Sequence, residues 1–499
     1  MNFSEYLKHD ATTLAALVAD GTVTATELLD LAEQRAHQVQ PQINAICRFM
    51  PEPARAQLHS ELRGPLAGVP FLIKDAVQDY AGLPTSMGSR AALGPVPKVH
   101  SHIVRRLLAN GAVIFGKTNT PELALKGITD PIAFGRSSNP WNLAHSPGGS
   151  SGGAAAAVAA GIVPMAAGND GGGSIRIPAA YCGLFGLRPS RGRVSVGPAL
   201  GEVWDGASSD GVLSRSVRDT ALALDILAGA EPGDPYAIAP PAASFVELSQ
   251  RDCRRLRIGF TSRSPMDTPV HPEAVLAVNR AAELLSKLGH HVEQAEPVIN
   301  ANALAESFLH LYFDHVSATL ARAKVYGAKD SEFELLTRVI GVLGRAVSAS
   351  TATNHRLQRN NFSQSLANFH KQYDLLLTPT VAHPAITHEQ GEIPGWQGAI
   401  LSGLLNTGML SVLARLGLMD GAIRHMARDN LSYVPFTQLA NLTGTPAMSV
   451  PLHWTAENLP LGVQFIAPFG DEATLLQLAT ELEQAQPWFD RLPAMTGDS

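Results

Sequence analysis

The chain has 499 residues, 45% of them hydrophobic and only 16% charged, with a formal charge of −6. That composition describes a globular protein with a large core and gives no basic footprint for nucleic acid. Residues 1–10 lack the basic and apolar segments of a signal peptide, and the most apolar window, Ile400 to Met419, is interrupted by Asn406 and Arg415, a poor membrane span. Three widely spaced cysteines, Cys47, Cys182 and Cys253, indicate neither a disulfide framework nor a zinc site, so a reducing cytoplasm is expected.

In chain order, Ala11 to Val18 reads as a helix. The capping box Thr24-Ala-Thr-Glu27 then opens a second, with a stripe at Leu28, Leu29, Leu31 and Ala32. Pro41 to Asn44 ends it, and residues 1–63 form an N-terminal helical arm ahead of a main body, 64–499. Gly64 to Asp75 is a turn feeding a buried strand, Phe71-Leu72-Ile73, with Lys74 at its end. Taken alone, such a lysine snorkels to water or pairs with a carboxylate such as Asp75. The alternative is a lysine desolvated enough to act as a neutral base. Ile103 to Asn110 is a helix stopped by Gly111, and Ala112 to Phe115 a strand. Gly111 to Thr118 matches the Walker A spelling, but an apolar strand stands where the phosphate loop belongs, and Pro121 opposes the helix required next.

Two serine-bearing glycine stretches follow, His145 to Gly153 and Gly168 to Pro178. Between them, alanines 154–157 and 159–160 suit a closely packed helix stopped by Gly161, and Val163 to Ala167 reads as a short buried strand. Gly171, Gly172 and Gly173 leading into Ser174 look like an oxyanion hole built around a nucleophile. A glycine-rich surface turn is the plain reading of either loop by itself; two such loops joined by one helix–strand unit arise by accident far less often. Gly148-x-Ser150-x-Gly152 and Gly149-x-Ser151-x-Gly153 also spell the nucleophile elbow of α/β-hydrolases. Leu143 to Pro147 is not the buried strand that elbow must follow. With seventeen histidines in the chain, a histidine-dependent esterase stays open as the alternative.

Downstream, Arg188, Arg191 and Arg193 are either structural or grips for an anion. Ser216 to Ala228 is a helix, and the Pro-rich 232–241 loop marks a subdomain edge. Strands are expected at Leu256–Phe260, His291–Ala295 and Asp374–Thr380, with helices at Pro272–Leu288, Ala303–Ser348 and Asn354–His370. Trp396 to Met426 is apolar but irregular, either core helices or an apolar wall over a site. Val434–Pro451 and Gly462–Ala467 return strands to the sheet, and Glu472–Gln484 closes with a helix. The alternation argues α/β with a mixed or mostly parallel sheet.

These residues resemble the amidase-signature hydrolases nearly end to end. The resemblance rests on the Ser146–Pro178 block, Lys74 in Val-Pro-Phe-Leu-Ile-Lys-Asp, Gly116-Lys-Thr-Asn-Thr-Pro-Glu122 and Ser138-Asn-Pro-Trp-Asn142. It implies a single large amidase-signature fold, a central mixed β-sheet flanked by helices, with 64–499 as the catalytic domain. It implies Ser174 as nucleophile, Ser150 as bridging serine after a cis peptide at Gly149, and Lys74 as base. The N–H groups of Gly171, Gly172, Gly173 and Ser174 would form the oxyanion hole, with Ala124 and Asn169 touching substrate. No cofactor or metal is implied, nor a nucleic-acid or membrane partner; the partner is a small-molecule amide, and the enzyme a monomer or homodimer.

The physics agrees with that scheme, since a lysine near its usual pKa of about 10.4 is almost wholly protonated at neutral pH and desolvation lowers that value. Asn169 departs from the family's commonest threonine, and Gly171 takes a variable position. The Gly-Asn-Asp spelling is most similar to the branch of 6-aminohexanoate cyclic-dimer hydrolases. The expected reaction is hydrolysis of small, largely apolar amides, linear or cyclic, extending to aryl amides or carbamates. A partner-dependent transamidase or non-catalytic assembly subunit is the remaining alternative; the absent Gly-Thr-Asp spelling and the intact lysine and serines speak against it.

Overall fold

Alternation along the buried strand Pro70–Lys74 sets the architecture. Phe71 and Ile73 face one hydrophobic cluster and Leu72 another, the two sides of a sheet covered on both faces. The structure is a computed structural model describing residues 1–391, 395–416, 418, 421 and 431–496. Among the described residues eleven strands form one sheet: β1 Ile46–Phe49, β2 Pro70–Lys74, β3 Val113–Thr118, β4 Met165–Asp170, β5 Phe185–Arg188, β6 Ser209–Ser214, β7 Arg257–Phe260, β8 His291–Gln294, β9 Leu375–Pro379, β10 Ala447–Trp454 and β11 Pro460–Ile466. Their order is β1-β3-β2-β4-β6-β5-β10-β11-β9-β7-β8. Pairs β2–β3, β2–β4, β7–β8 and β7–β9 are parallel and the others antiparallel. The expected α/β class with a mixed central sheet flanked by helices is the observed one.

The alanine-rich segment forms the helix Gly152–Ala159, wholly buried. Small side chains let it approach β2 and β4 closely, and Gly161 at φ +75° ends it in a conformation that suits glycine. The N-terminal helices are tied to the body by polar contacts: the Asp219 carboxylate accepts the Ala11 and Thr12 N–H groups at 2.8 and 3.0 Å, and Arg35 donates to the Ala160 carbonyl at 3.0 Å. The sheet continues on both sides of the 232–241 loop, which joins two helices, Val217–Leu227 and Phe245–Ser249, of the same core.

Several expected elements differ in extent. The strand read at 163–167 is β4, which runs on to Asp170 because it pairs along its whole length with β6, a strand absent from the sequence reading. Gly168, Asn169 and Asp170 therefore stand on a rigid strand, and the glycine loop begins only at Gly171. The helix read over 303–348 is two, Ala301–Val325 and Leu335–Ala346, broken where Gly327 adopts φ +92°. Within 434–451, Gln438–Thr443 is a helix closed by left-handed Gly444 before β10 begins. The Walker A look-alike is β3 itself, with Lys117 inside the strand.

The Trp396–Met426 segment falls partly outside the described residues, at 417, 419, 420 and 422–426. Its described part forms the helices Gly395–Asn406 and Met409–Arg415, which meet at 85°. Leu401, Leu404, Leu405 and Leu410 pack on a cluster with Leu123, Leu125 and Phe313, while Trp396, Ile400, Val412 and Leu416 are exposed. One face of the described part thus joins a hydrophobic core cluster, with Leu410 1% exposed, and the other faces outward. Among the described residues no single helix is long and apolar enough to cross a membrane.

Candidate active site

β2 delivers Lys74, β4 delivers Asn169, and the loop entering the Gly152–Ala159 helix delivers Ser150. Lys74 Nζ lies 2.7 Å from Ser150 Oγ and 2.7 Å from Asn169 Oδ1. Lys74 is 0% and Ser150 1% exposed. Burial pulls the Lys74 ammonium down to about 7, against the attraction of Asp210 and Asp170. The peptide Gly149–Ser150 is cis. Ser174 is half-buried among buried neighbours, its Oγ makes no hydrogen bond to another described residue, and its carbonyl accepts the Ser151 N–H at 3.2 Å. The fold thus brings Lys74, Ser150 and Ser174 from distant positions to one end of adjacent strands.

The glycine loop is held by a carboxylate. Asp170 accepts the N–H groups of Gly173 at 2.7 Å and Ile175 at 3.2 Å, and Arg176 grips it with two parallel bonds of 2.9 Å. Both side chains are fully buried, and the guanidinium keeps the Asp170 carboxyl well below the usual carboxylate range despite its burial. Arg176 also donates to the Thr437 carbonyl, Gln464 Oε1 and Asn441 Oδ1 at 2.9, 2.6 and 2.6 Å. Thr437 Oγ1 donates to the Gly172 carbonyl at 2.6 Å. The sequence reading missed this frame, although a charged pair six residues apart inside an apolar block was a signal for it.

That frame corrects one expectation. The Gly173 N–H is committed to Asp170, which as a buried anion requires donors, so it is not free for an oxyanion. Among the described residues, the N–H groups of Gly171, Gly172 and Ser174 carry no hydrogen bond to the protein. Asn169 is corrected as well. Its Oδ1 meets Lys74 and its Nδ2 donates to the Ala76 carbonyl at 2.9 Å, so both ends serve the protein and not a substrate. Ala124 is half-buried at φ +59° and closes a turn whose continuation, Lys126 to Ile128, presses on Gly149. Aromatic rings back the loop: Trp204 lies against Gly171, Phe308 against Gly172, and Tyr312 packs on both rings.

Other features have structural work. No histidine hydrogen-bonds Ser150, Ser151 or Ser174 among the described residues. Arg188 and Arg191 donate to backbone carbonyls, and Arg193 pairs with Glu472 at 2.9 Å, so none of the three faces an anion site. Cys253, His290 and Glu481 bring ligand-type atoms within 4.8 Å of one another. His290 Nδ1, however, accepts the Leu256 N–H at 3.1 Å, leaving its proton on Nε2 for Glu481 at 2.9 Å, an arrangement that is a hydrogen-bond network and not a metal cradle. A cleft of about 320 Å³ among Arg280, His453, Trp454 and Arg491 sits at the Trp454 end of β10. Thr437 and Asn441, which hold the glycine loop, precede the opposite end, so this cleft is separate from Lys74 and Ser174.

Comparison with known proteins gives the class. The chain belongs to the amidase family, whose pattern matches residues 27–417 and 415–476, and it is a hydrolase of carbon–nitrogen bonds. More particularly, it is 36% identical to the 6-aminohexanoate-cyclic-dimer hydrolase of Pseudomonas sp. (strain NK87), over 99% of this chain and 98% of the relative. It is 33% identical to the acylamidase of Rhodococcus erythropolis, over 97% of each. A solved structure of 6-aminohexanoate cyclic dimer hydrolase with substrate superposes with a TM-score of 0.86 at 32% identity, covering 98% of this chain and 99% of that one. A bacterial aryl acylamidase of the amidase signature family superposes at 0.83 with 25% identity, covering 98% and 99%.

Proposed function

We propose that this amidase hydrolyses small, largely apolar amides, linear or cyclic, through an acyl-enzyme on Ser174. The observation that carries the reading is the 2.7 Å contact between Lys74 Nζ and Ser150 Oγ, two side chains buried from solvent. Asn169 Oδ1 is an obligatory acceptor, because its amide nitrogen is donating elsewhere. A neutral lysine therefore gives one N–H to Asn169 and turns its lone pair to the Ser150 hydroxyl. As Ser174 Oγ attacks the amide carbonyl carbon, its proton passes to Ser150 Oγ and that of Ser150 to Lys74. The free N–H groups of Gly171, Gly172 and Ser174 donate to the developing oxyanion. The carbon–nitrogen bond then breaks, the amine leaving with the proton that Lys74 returns through Ser150, and water hydrolyses the ester.

The relatives' named substrates, a cyclic amide dimer and aryl acylamides, and the rings of Trp204, Phe308 and Tyr312 favour apolar acyl groups. Activity on a small-molecule panel of cyclic oligoamides, lactams, anilides and carbamates tests the reading. Turnover of at least one amide, lost in Ser174→Ala, is the expected result. Turnover that survives in Ser174→Ala would sink it.

A further inference from the structure

Three neighbouring strands end in a row of polar side chains of which the proposed reaction uses only part. Across the β4–β6 ladder Asn169 stands directly opposite Asp210, so the two side chains share a face, and β2 runs beside β4. Asp210 is 1% exposed. Its Oδ1 accepts a hydrogen bond from Gln78 Nε2 at 3.2 Å, the Asn169 amide also stabilises its charge, and its Oδ2 meets no donor within ordinary hydrogen-bond geometry among the described residues. Gln78 ties Asp210 to the strand that carries the lysine, since its Oε1 accepts the backbone N–H of Lys74 at 2.7 Å, while Asn169 Oδ1 meets Lys74 Nζ itself.

We infer that Asp210 is the charge partner of Lys74, a positioning residue that sets the proton affinity of the base through the intervening Gln78 and Asn169. The inference rests on the reading of Lys74 as the base. A buried carboxylate met by neutral amides, with no cation in contact among the described residues, is costly, and an asparagine would fill the same space at lower cost. The charge therefore has an object, and the lysine is the cation that faces it. Among the described residues, the remaining charged groups around Lys74 have ion-pair or hydrogen-bond partners of their own, although Asp170 still attracts it. Asp170 on β4 is neutralised by Arg176, and Lys117 on β3 pairs with Asp75 at 3.4 Å. The Gly152–Ala159 helix presents only glycine, alanine and valine, and the Ala25–Ile43 helix turns Arg35 to the Ala160 carbonyl.

Burial and the Asp210 charge act on the lysine in opposite directions. Burial in turn pushes the Asp210 carboxyl up to about 7, so both groups titrate across the neutral range. Without the aspartate charge, only the attraction of Asp170 still opposes desolvation, and Lys74 gives up its proton at lower pH.

The test is kcat/KM against pH for the wild type and Asp210→Asn, on an amide the wild type turns over. The acid limb should move down by about one pH unit, and the plateau should fall about tenfold, because a less basic lysine is the weaker catalyst. An acid limb at the wild-type pH, whatever the plateau or Tm, overturns the inference, since a merely structural role would not move it. Should Asp210→Asn fail to fold, Gln78→Met removes the donor that keeps Asp210 ionised and should shift the limb the same way; an unmoved limb there overturns it equally. Lys74→Arg separates the two claims. An active arginine variant overturns the lysine mechanism itself, whereas a dead one beside an unmoved Asp210→Asn limb removes only the role of Asp210.

Discussion

The ring of Phe308 occupies the space that a side chain on Gly172 would need: a Cβ there would lie 2.4 Å from Phe308 Cζ. The glycine loop is thus fitted to a helix 136 residues further on, and its free N–H groups are aimed by that packing.

Gly172→Ala should therefore shift the loop and cost about 100-fold or more in kcat/KM, the scale of losing an oxyanion donor. Phe308→Leu, by clearing the space, should restore part of that loss in the double variant. Kinetics of both singles and the double close the cycle. Additive losses would show that the ring and the loop are independent.

Lys74 titrates near 7 because it is buried. Below that pH the ammonium has no lone pair for Ser150, and above it the neutral amine does. kcat/KM should rise with pH through about 7. Lys74→Arg should be nearly inactive at every workable pH, since a guanidinium cannot give up its proton there. A pH profile of the wild type beside one of the arginine variant checks both statements.

Ser174 is accessible and Ser150 is not, so an electrophilic phosphonate should label Ser174. Peptide mass spectrometry should find the adduct there in the wild type and none in Ser174→Ala. In Ser150→Ala labelling should be slowed by about 100-fold or more, the scale of general-base assistance. An adduct on Ser150 in the Ser174→Ala protein would favour a different nucleophile.

Arg176→Met leaves Asp170 as a buried carboxylate without its cation, a loss of about 3–5 kcal/mol in unfolding free energy. The double variant Asp170→Asn, Arg176→Met removes both charges and should recover part of it. Urea unfolding followed by circular dichroism reads the two values. A single variant within 1 kcal/mol of wild type, roughly the level of an exposed pair, would contradict the structural assignment.

Local features were legible in the sequence. The capping box at Thr24 is present with both reciprocal bonds, Lys74 ends the strand its apolar neighbours announced, and the alanine segment between the serine loops is the buried helix its composition suggested. What the sequence hid was long-range. β6 begins Ser209-Asp-Gly, a polar opening that reads as a turn until the partner strand β4 is beside it. Asn169 and Gly173 are placed by what they hydrogen-bond, and periodicity carries no information about that. Thr437, Asn441 and Gln464 stand in ordinary helix and strand surroundings, and only folding reveals them as the frame of the glycine loop.

That frame also orders events in time. Arg176 holds Asp170 in place while donating to the Thr437 carbonyl 261 positions later, and Gln464 follows that. At roughly 5–20 residues per second, a ribosome that has made the glycine loop needs about 13–50 s to reach Thr437. Serine, lysine and glycines all exist in the nascent chain during that interval without a scaffold to align them. A growing polypeptide therefore carries the serines, lysine and glycines unaligned until Thr437, Asn441 and Gln464 have been made.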